Sequence, residues 1–141
     1  PPARQADTVD ATAIMSDDGT ILAFTGSDFT WNYSDPDGIR MTTVVAVDGD
    51  FWIGTQRGIT VLRSTAPKTE EEIEAAEKAA KKTGYVKPEP FKVIGHVRLP
   101  GAVTYLYPLL VGGGAAYVSE YGGFGEVMLS EEPIPGAVAP K

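Results

Sequence analysis

Cysteine is absent from this sequence of 141 residues, and histidine occurs once, as His96. A chain without cysteine forms no disulfide and no thiolate metal site, and it has no cysteine nucleophile. His96 lies in the apolar run Ile94-Gly95-His96-Val97, where a structural or surface role is more common than general-base catalysis. The sequence also lacks a G-x-S-x-G elbow, the usual context of a serine nucleophile. We therefore expect no enzyme activity.

Positively charged residues are also few. Lysine and arginine total 12 against 19 aspartates and glutamates, which makes the net charge −7 and the pI about 4.6. A phosphate backbone repels such a chain on average, so we expect no nucleic-acid partner. Every apolar run is shorter than the roughly 18 residues of a membrane-spanning helix, so we expect no membrane span. No metal-binding or phosphate-binding motif is complete, and we expect no cofactor.

Glycine and proline are abundant instead, with 16 and 11 residues. Both residue types favour tight turns, so the chain is expected to consist of many short elements. Hydrophobic residues make up 43% and charged residues 22% of the chain, which is a globular composition. The length is that of one domain with its own core.

A pattern of three strands and two turns occurs in the middle of the chain. An apolar strand at 44–47 is followed by the turn Asp48-Gly49-Asp50 and by an aromatic-rich strand at 51–55. A second turn at 56–58 leads to a third strand at 59–64. Asp-Gly pairs supply the positive φ that tight hairpins need.

The same pattern recurs on both sides. Downstream, strands are predicted at 108–111, 115–119 and 126–130, with turns at 112–114 and 121–123. Upstream, strands are predicted at 13–16, 20–25 and 29–34. The chain is therefore interpreted as an all-β protein of antiparallel, three- to four-stranded units at about 11–34, 41–99 and 104–130. A generic β-sandwich would show similar hairpins, and this alternative stays open.

One helical insertion, at 67–90, interrupts the second unit. Thr69 and Glu72 form a capping box, and Gly84 is suited to the C′ position, so the helix is predicted over about 69–83. Ile73 is its one large apolar side chain, which indicates a peripheral helix rather than a core element. Residues 91–99 are predicted to form a fourth strand of the second unit.

The most characteristic motif lies in the second unit. A strand ending in W-I-G-T at 52–55 is followed, after two further residues, by Gly58 and an apolar strand. This motif resembles repeats of β-propellers of the sensor and phage-encoded kinds. The resemblance implies blade-like units, with Phe51 and Trp52 packed between neighbouring blades. The other units depart from it, with Phe24-Thr25 and Val118-Ser119 in place of Gly54-Thr55, and no unit has the Trp-Asp ending of WD40 blades.

The number of units has a physical consequence. Propellers close with roughly four to eight blades, and three would leave open edges. We therefore expect a partial propeller that is completed by other protein chains, either copies of itself or other subunits. Alternatively, residues 1–141 form one segment of a longer propeller, with which the start at Pro1 agrees.

The candidate site residues follow from this interpretation. Trp31, Trp52, Tyr117 and Tyr121 are predicted to contribute to an interaction surface. The expected function is a non-catalytic structural module of a β-rich assembly, and the resemblance suggests a phage virion. The alternatives are a ligand-binding sensor propeller, with a pocket lined by Trp31, Trp52 or Tyr117, and a glycosidase-like propeller enzyme.

One acidic segment needs separate consideration. Asp35-Pro36-Asp37-Gly38 begins like a calcium-binding loop but lacks the distal bidentate glutamate. Proline followed by Asp-Gly is also an ordinary turn signature, and a turn is the favoured interpretation.

Overall fold

The computed structural model describes residues 3–26, 30–110 and 113–129. Within them the chain forms eleven strands in three antiparallel sheets, and one helix. The all-β class with one helix is therefore confirmed. The first sheet contains β1 (Gln5–Asp7), β2 (Ala11–Met15), β3 (Leu22–Gly26) and β4 (Thr30–Tyr33). The second contains β5 (Met41–Val47), β6 (Asp50–Thr55), β7 (Gly58–Ser64) and β8 (Phe91–Arg98). The third contains β9 (Val103–Pro108), β10 (Gly114–Ser119) and β11 (Phe124–Met128).

Each sheet is a meander in which consecutive strands pair antiparallel. The predicted turn between β5 and β6 is confirmed, because Asp48 and Gly49 both have positive φ, 48° and 85°. This is the backbone geometry that matches the twist of a two-residue hairpin. The strand predicted at 91–99 is also confirmed as β8, which pairs with β7 as the fourth strand of the second sheet.

The second sheet lies between the other two and separates two apolar clusters. Phe51 and Trp52 are neighbours on β6, so their side chains point to opposite faces. Phe51 is buried against the first sheet and Trp52 against the third. The first cluster is centred on Leu22, Phe24, Val44, Phe51, Ile53, Leu62 and Phe91. The second is centred on Val45, Trp52, Ile59, Val61, Val103, Leu106 and Ala115.

Gly54 allows the second and third sheets to approach closely. A Cβ atom at this position would lie 3.0 Å from Val103 Cγ1 and 2.7 Å from Thr43 Cγ2. Real Cβ contacts are rarely so short, because protein interiors are already close-packed. The glycine of the W-I-G-T motif is thus required at the contact between β6 and β9.

The strand prediction for the start of the third unit was wrong. The first strand of that sheet is β9 (Val103–Pro108), whereas Leu109 and Leu110 follow it in a loop. Residues 111 and 112 of the predicted strand lie outside the described part of the chain. Val103 and Leu106 of β9 are buried, and Leu110 is fully exposed. A local apolar run therefore marked the wrong segment, since burial depends on contacts with the second sheet.

The first unit also needs correction. The first sheet begins with β1 (Gln5–Asp7), which lies before the predicted unit at 11–34. The predicted first strand at 13–16 is therefore the second strand of its sheet. β1 has only three residues and no apolar run, so composition alone does not reveal it. The predicted strand at 29–34 corresponds to β4 (Thr30–Tyr33), and residue 29 lies outside the described residues.

The predicted helix is present as α1 (Glu70–Ala80), between β7 and β8. Its capping box is formed: the Glu72 backbone N–H donates to Thr69 Oγ1 at 3.1 Å, and Glu72 Oε2 accepts from the Lys68 backbone N–H at 2.9 Å. The helix is shorter than predicted, because its C-cap is Lys81 and Gly84 adopts φ 80° in the turn beyond. No residue of α1 is buried, so it is peripheral, as predicted. Within the described residues, no helix is long and apolar enough to cross a membrane.

Candidate functional site

The four aromatic residues predicted to form an interaction surface do not come together. Trp52 is completely buried between the second and third sheets, which excludes it from any surface of this chain. The prediction for Trp52 was therefore wrong. An aromatic residue in a strand buried on both faces belongs to the core, and β6 is such a strand.

Trp31 makes its contacts within the fold. It lies on β4, where its ring packs against Phe24 and Phe91 with centroid distances of 5.6 and 5.9 Å. Its Nε1–H donates to Glu89 Oε2 at 2.7 Å. Glu89 lies just before β8, at the end of the helical insertion. Trp31 thus ties the base of the insertion to the first sheet.

The two tyrosines differ in exposure. Tyr117 lies on β10 and packs half-buried against the cluster that contains Trp52. Tyr121 lies in the turn after β10, where its ring is next to Gly101, and it is 80% exposed. Of the four predicted residues, Tyr121 is thus the most accessible, and it lies at one end of the third sheet.

A larger accessible surface lies on the third sheet itself, on the face directed away from the second sheet. Tyr105 pairs with Val118 and Val118 with Phe124, so these three side chains form one row across the strands. A second row, Tyr107, Ala116 and Glu126, lies on the same face because cross-strand partners alternate with a period of two. We define the outer face of the third sheet as Tyr105, Tyr107, Ala116, Val118, Phe124, Glu126 and Met128.

The outer face of the third sheet is apolar and aromatic. Phe124 is 83% exposed, and Tyr107 and Met128 are each 53% exposed. The rings of Tyr105 and Tyr107 stack with a centroid distance of 6.0 Å and an interplanar angle of 15°. Glu126 is the one charged side chain in this set. A contiguous apolar patch of this kind on a chain surface typically marks a binding surface for protein.

The opposite end of the sheet stack is polar. The outer face of the first sheet consists of Gln5, Asp7, Thr12, Ile14, Ala23, Thr25, Thr30 and Asn32, which are cross-strand partners or alternate along their strands. Asp7 Oδ1 accepts a hydrogen bond from Thr12 Oγ1 at 2.6 Å. The two ends of the stack therefore differ in chemistry, and only the third sheet presents an apolar surface among the described residues.

A second candidate region is a cleft of about 310 Å³ near the start of β1 and β5, where Met15 and Met41 lie beside charged side chains. Its lining includes Arg4, Arg40, Asp18 and Gln56. Arg4 is already engaged, since its NH2 group donates to the Ser16 carbonyl at 2.7 Å and to Asp17 Oδ1 at 3.2 Å. The cleft contains none of Trp31, Trp52 and Tyr117, which were predicted to line a pocket. It does not reproduce the predicted ligand site.

Asp18 in this cleft has a low pKa. Its Oδ1 accepts hydrogen bonds from the Thr20 hydroxyl at 2.6 Å, the Thr20 backbone N–H at 3.0 Å and the Ser16 hydroxyl at 2.9 Å. Hydrogen bonds from Thr20 and then Ser16 lower the pKa of Asp18 from 3.8 to about 2, with a smaller contribution from the charge of Arg40. Since all three bonds are local, the carboxylate organises the β2–β3 turn.

The remaining polar candidates also have local partners. His96 Nδ1 lies 3.0 Å from Thr60 Oγ1 on the neighbouring strand. Asp35 Oδ2 accepts the backbone N–H groups of Asp37 and Ile39 at 2.8 and 3.2 Å, so this segment forms the favoured turn. Over the described ranges, no three acidic or histidine side chains form a group that could hold a metal ion.

The outer face of the third sheet was not identified from the sequence, although a signal for it is present. Tyr105 and Tyr107 lie on either side of Leu106, and this spacing places the two rings on one face of a strand and Leu106 on the other. The burial of one face and the exposure of the other depend on the position of the second sheet.

No protein-family model, curated protein or solved structure matches this chain.

Proposed function

We propose that this chain is a non-catalytic assembly module with propeller-like sheets, and that it joins a larger β-rich complex through the outer face of the third sheet. The observation that carries the proposal is this exposed apolar face at one end of a regular stack of sheets. Its partners are other protein chains that also present apolar sheet faces.

The repeated order of antiparallel strands in the three sheets supports a propeller-like arrangement, because a propeller blade is an antiparallel sheet of about four strands. In each sheet, the residue before the first strand accepts a hydrogen bond from the end of the second strand. The three bonds run from Met15 N–H to Arg4 O at 2.8 Å, from Gln56 N–H to Arg40 O at 3.0 Å, and from Glu120 N–H to Ala102 O at 2.8 Å. The sheets are thus built on one plan, although their sequences differ.

The contacts between successive sheets are also repeated. β5 contacts β1 and β2 of the preceding sheet, and β9 contacts β5 and β6 in the same way. At the first of these interfaces, the Met41 N–H of β5 also donates to the Gly19 carbonyl in the β2–β3 turn at 2.8 Å. First strands that lie side by side in this way are typical of blades around an axis.

The outer face of the third sheet lies at one end of the stack of three sheets. Each sheet interface within the chain buries an apolar face of the earlier sheet, and the outer face of the third sheet occupies the corresponding position without a cover among the described residues. Three blade-like sheets fall short of the roughly four that the smallest propeller rings contain. A further sheet at this position would extend the stack.

A phage virion is the assembly that we propose, on the sequence resemblance of the W-I-G-T motif to phage-encoded propeller repeats. The residues that carry this resemblance are the strand ending at 52–55 and the glycine three residues further on, Gly58.

The test compares matched charge substitutions by gel filtration in a clarified extract of the source organism. Phe124→Asp places a carboxylate on the outer face of the third sheet, whereas Val86→Asp places one at a similarly exposed position, 84%, outside the sheets. We expect the wild type and Val86→Asp to elute in a large complex and Phe124→Asp to elute as a monomer of 15.0 kDa. Elution of all three proteins as monomers would contradict the proposed function.

A further inference from the structure

We propose that the cleft between the β2–β3 turn and the start of β5 binds a small zwitterion, a free α-amino acid with an apolar side chain. This inference goes beyond the proposed function, because the cleft shares no residue with the outer face of the third sheet. Three features of the cleft point to such a ligand: its fixed walls, its balanced charges and its two methionines.

The walls of the cleft come from three parts of the fold that backbone hydrogen bonds join together. Met41 N–H donates to Gly19 O at 2.8 Å, and Gln56 N–H donates to Arg40 O at 3.0 Å. These bonds fix the β2–β3 turn and the β6–β7 turn to the start of β5. Gly19 is required at this contact, because it has a φ of 73° and a Cβ atom there would collide with the Met41 carbonyl oxygen. The cleft is therefore pre-formed, as small-molecule sites usually are.

The charges that line the cleft are balanced. Arg4 and Arg40 contribute two positive charges, and Asp17 and Asp18 contribute two negative ones, although the whole chain has a net charge of −7. A phosphate would be repelled by the two carboxylates, and a simple cation would be repelled by the two guanidinium groups. Arg4 and Asp17 already form an ion pair at 3.2 Å. A ligand with one charge of each sign suits the remaining pair.

The remaining pair is Arg40 and Asp18. Among the described residues, the Arg40 guanidinium forms no hydrogen bond or ion pair, and Asp18 accepts its three hydrogen bonds at Oδ1 and none at Oδ2. Hydrogen bonds from Thr20 and Ser16, and to a smaller extent the charge of Arg40, lower the pKa of Asp18 to about 2, so this carboxylate is ionised at neutral pH. An α-ammonium group can donate to Asp18 Oδ2 while the α-carboxylate accepts two parallel N–H bonds from Arg40.

Two methionines determine the expected side chain of the ligand. Met15 and Met41 line the cleft and are only 7% and 5% exposed, so they lie deeper than the charged groups. Flexible thioether side chains adapt well to an apolar group. The volume of about 310 Å³ is at the lower end of the range for ligand sites, roughly 300–1,000 Å³. It equals the space of about ten waters at about 30 Å³ each, which accommodates an amino acid of the size of leucine.

The experiment uses the three methionines of the chain as reporters. In protein labelled with ¹³C at the methionine methyl groups, Met15 and Met41 report on the cleft, and Met128 on the outer face of the third sheet is an internal control. Leucine is titrated in parallel with isocaproate, which lacks the amino group, and isoamylamine, which lacks the carboxylate. We expect leucine to shift the Met15 and Met41 signals only. The dissociation constant should be on the order of 1 mM, because exposed ion pairs contribute little.

Matched substitutions test the two charged contacts. Arg40→Gln removes the free guanidinium, and Arg98→Gln removes another exposed arginine that does not line the cleft. Asp18→Asn removes the charge but keeps an oxygen acceptor for the turn, and Asp10→Asn is its control in the exposed β1–β2 turn. We expect Arg40→Gln and Asp18→Asn each to weaken leucine binding by about tenfold, as the loss of a charged hydrogen bond does, and both controls to bind like the wild type. The methyl signals without ligand verify that each variant is folded.

The two analogues should bind the wild type about tenfold more weakly than leucine, because each lacks one of the charged contacts. Four results would overturn the inference. Absence of any shift at Met15 and Met41 up to the solubility limit of leucine would exclude this ligand. Isocaproate binding as tightly as leucine would indicate a simple anion site, and isoamylamine binding as tightly would indicate a cation site. A shift of Met128 as large as that of Met15 would show binding without specificity for the cleft.

Discussion

Trp52 shows how the environment of a single residue depends on the sheets around it. Its ring is fully buried on the face of β6 that meets the third sheet, and its Nε1–H has no hydrogen-bond partner among the described residues. A buried N–H without a partner costs about 1–3 kcal/mol. The indole therefore stabilises the fold through its apolar area and despite its polar atom.

Two substitutions separate these contributions. We expect Trp52→Ala to lower the free energy of unfolding by about 3–5 kcal/mol, as is typical when a large buried ring is removed. We expect Trp52→Phe to cost far less, because it keeps an aromatic ring and removes the unpaired N–H. Urea denaturation measures both. A loss for Trp52→Phe as large as that for Trp52→Ala would contradict this expectation.

Asp18 is the second residue with a testable property, its low pKa of about 2. Because the folded pKa lies below the ordinary value of 3.8, the ionised carboxylate favours the folded state above pH 3.8, and this contribution disappears as the pH falls towards 2. We expect wild-type stability to exceed that of Asp18→Ala by a constant amount at neutral pH, and the difference to shrink between these pH values. Thermal melts at several pH values measure this stability difference. Asp37→Ala, which removes an aspartate from another turn, is the control variant.

At the scale of elements, α1 was predicted well because its signals are local. The cap residue Thr69 and the three glutamates of the first turn lie next to each other in sequence, and they act on backbone groups within the same turn. The end of the helix was predicted less well. Lys81 forms the C-cap, although Gly84 adopts positive φ more easily and was expected to end the helix. The predicted helix is therefore about one turn too long.

The peripheral position of α1 makes a prediction about local stability. Thr69→Ala should weaken the helix by about 1 kcal/mol, since one backbone N–H loses its acceptor. We expect faster hydrogen exchange within Glu70–Ala80 and an unchanged global unfolding midpoint, because no residue of the helix is buried. Thr69→Ser, which keeps the hydroxyl, should exchange like the wild type. A shift of the global midpoint would show that the helix contributes to the core.

Strands were predicted less evenly than the helix. β5, β6 and β7 are clear in the sequence because glycine turns separate apolar runs of suitable length. β1 was missed because three residues carry almost no periodic signal. The first strand of the third sheet was predicted too far along the chain, because the apolar residues Leu109 and Leu110 resemble a buried strand. The actual strand, β9, contains Tyr105 and Tyr107.

At the scale of the whole molecule, the second sheet connects the two apolar clusters. Phe51 and Trp52 lie side by side on β6 but belong to different clusters, so the loss of this strand would open both. We therefore expect the three sheets to unfold together rather than one after another, as single domains of this size usually do.

The two tryptophans of the chain test this cooperativity separately. Trp31 packs against the first cluster and Trp52 lies in the second. Trp52→Phe leaves Trp31 as the sole fluorescence reporter, and Trp31→Phe leaves Trp52. For each variant we expect the fluorescence transition in urea to coincide with the transition in circular dichroism. Two separate transitions in either variant would show that the clusters unfold independently.

The amino-acid sequence by itself determined the strand-rich class, the turns with their positive φ and the capped helix. These features depend on neighbouring residues, whose backbone preferences and hydrogen bonds are local. Only the tertiary structure decided which apolar side chains are buried. Trp52 became core and the outer face of the third sheet became surface because burial depends on which sheet lies opposite, and strands distant in sequence determine that arrangement.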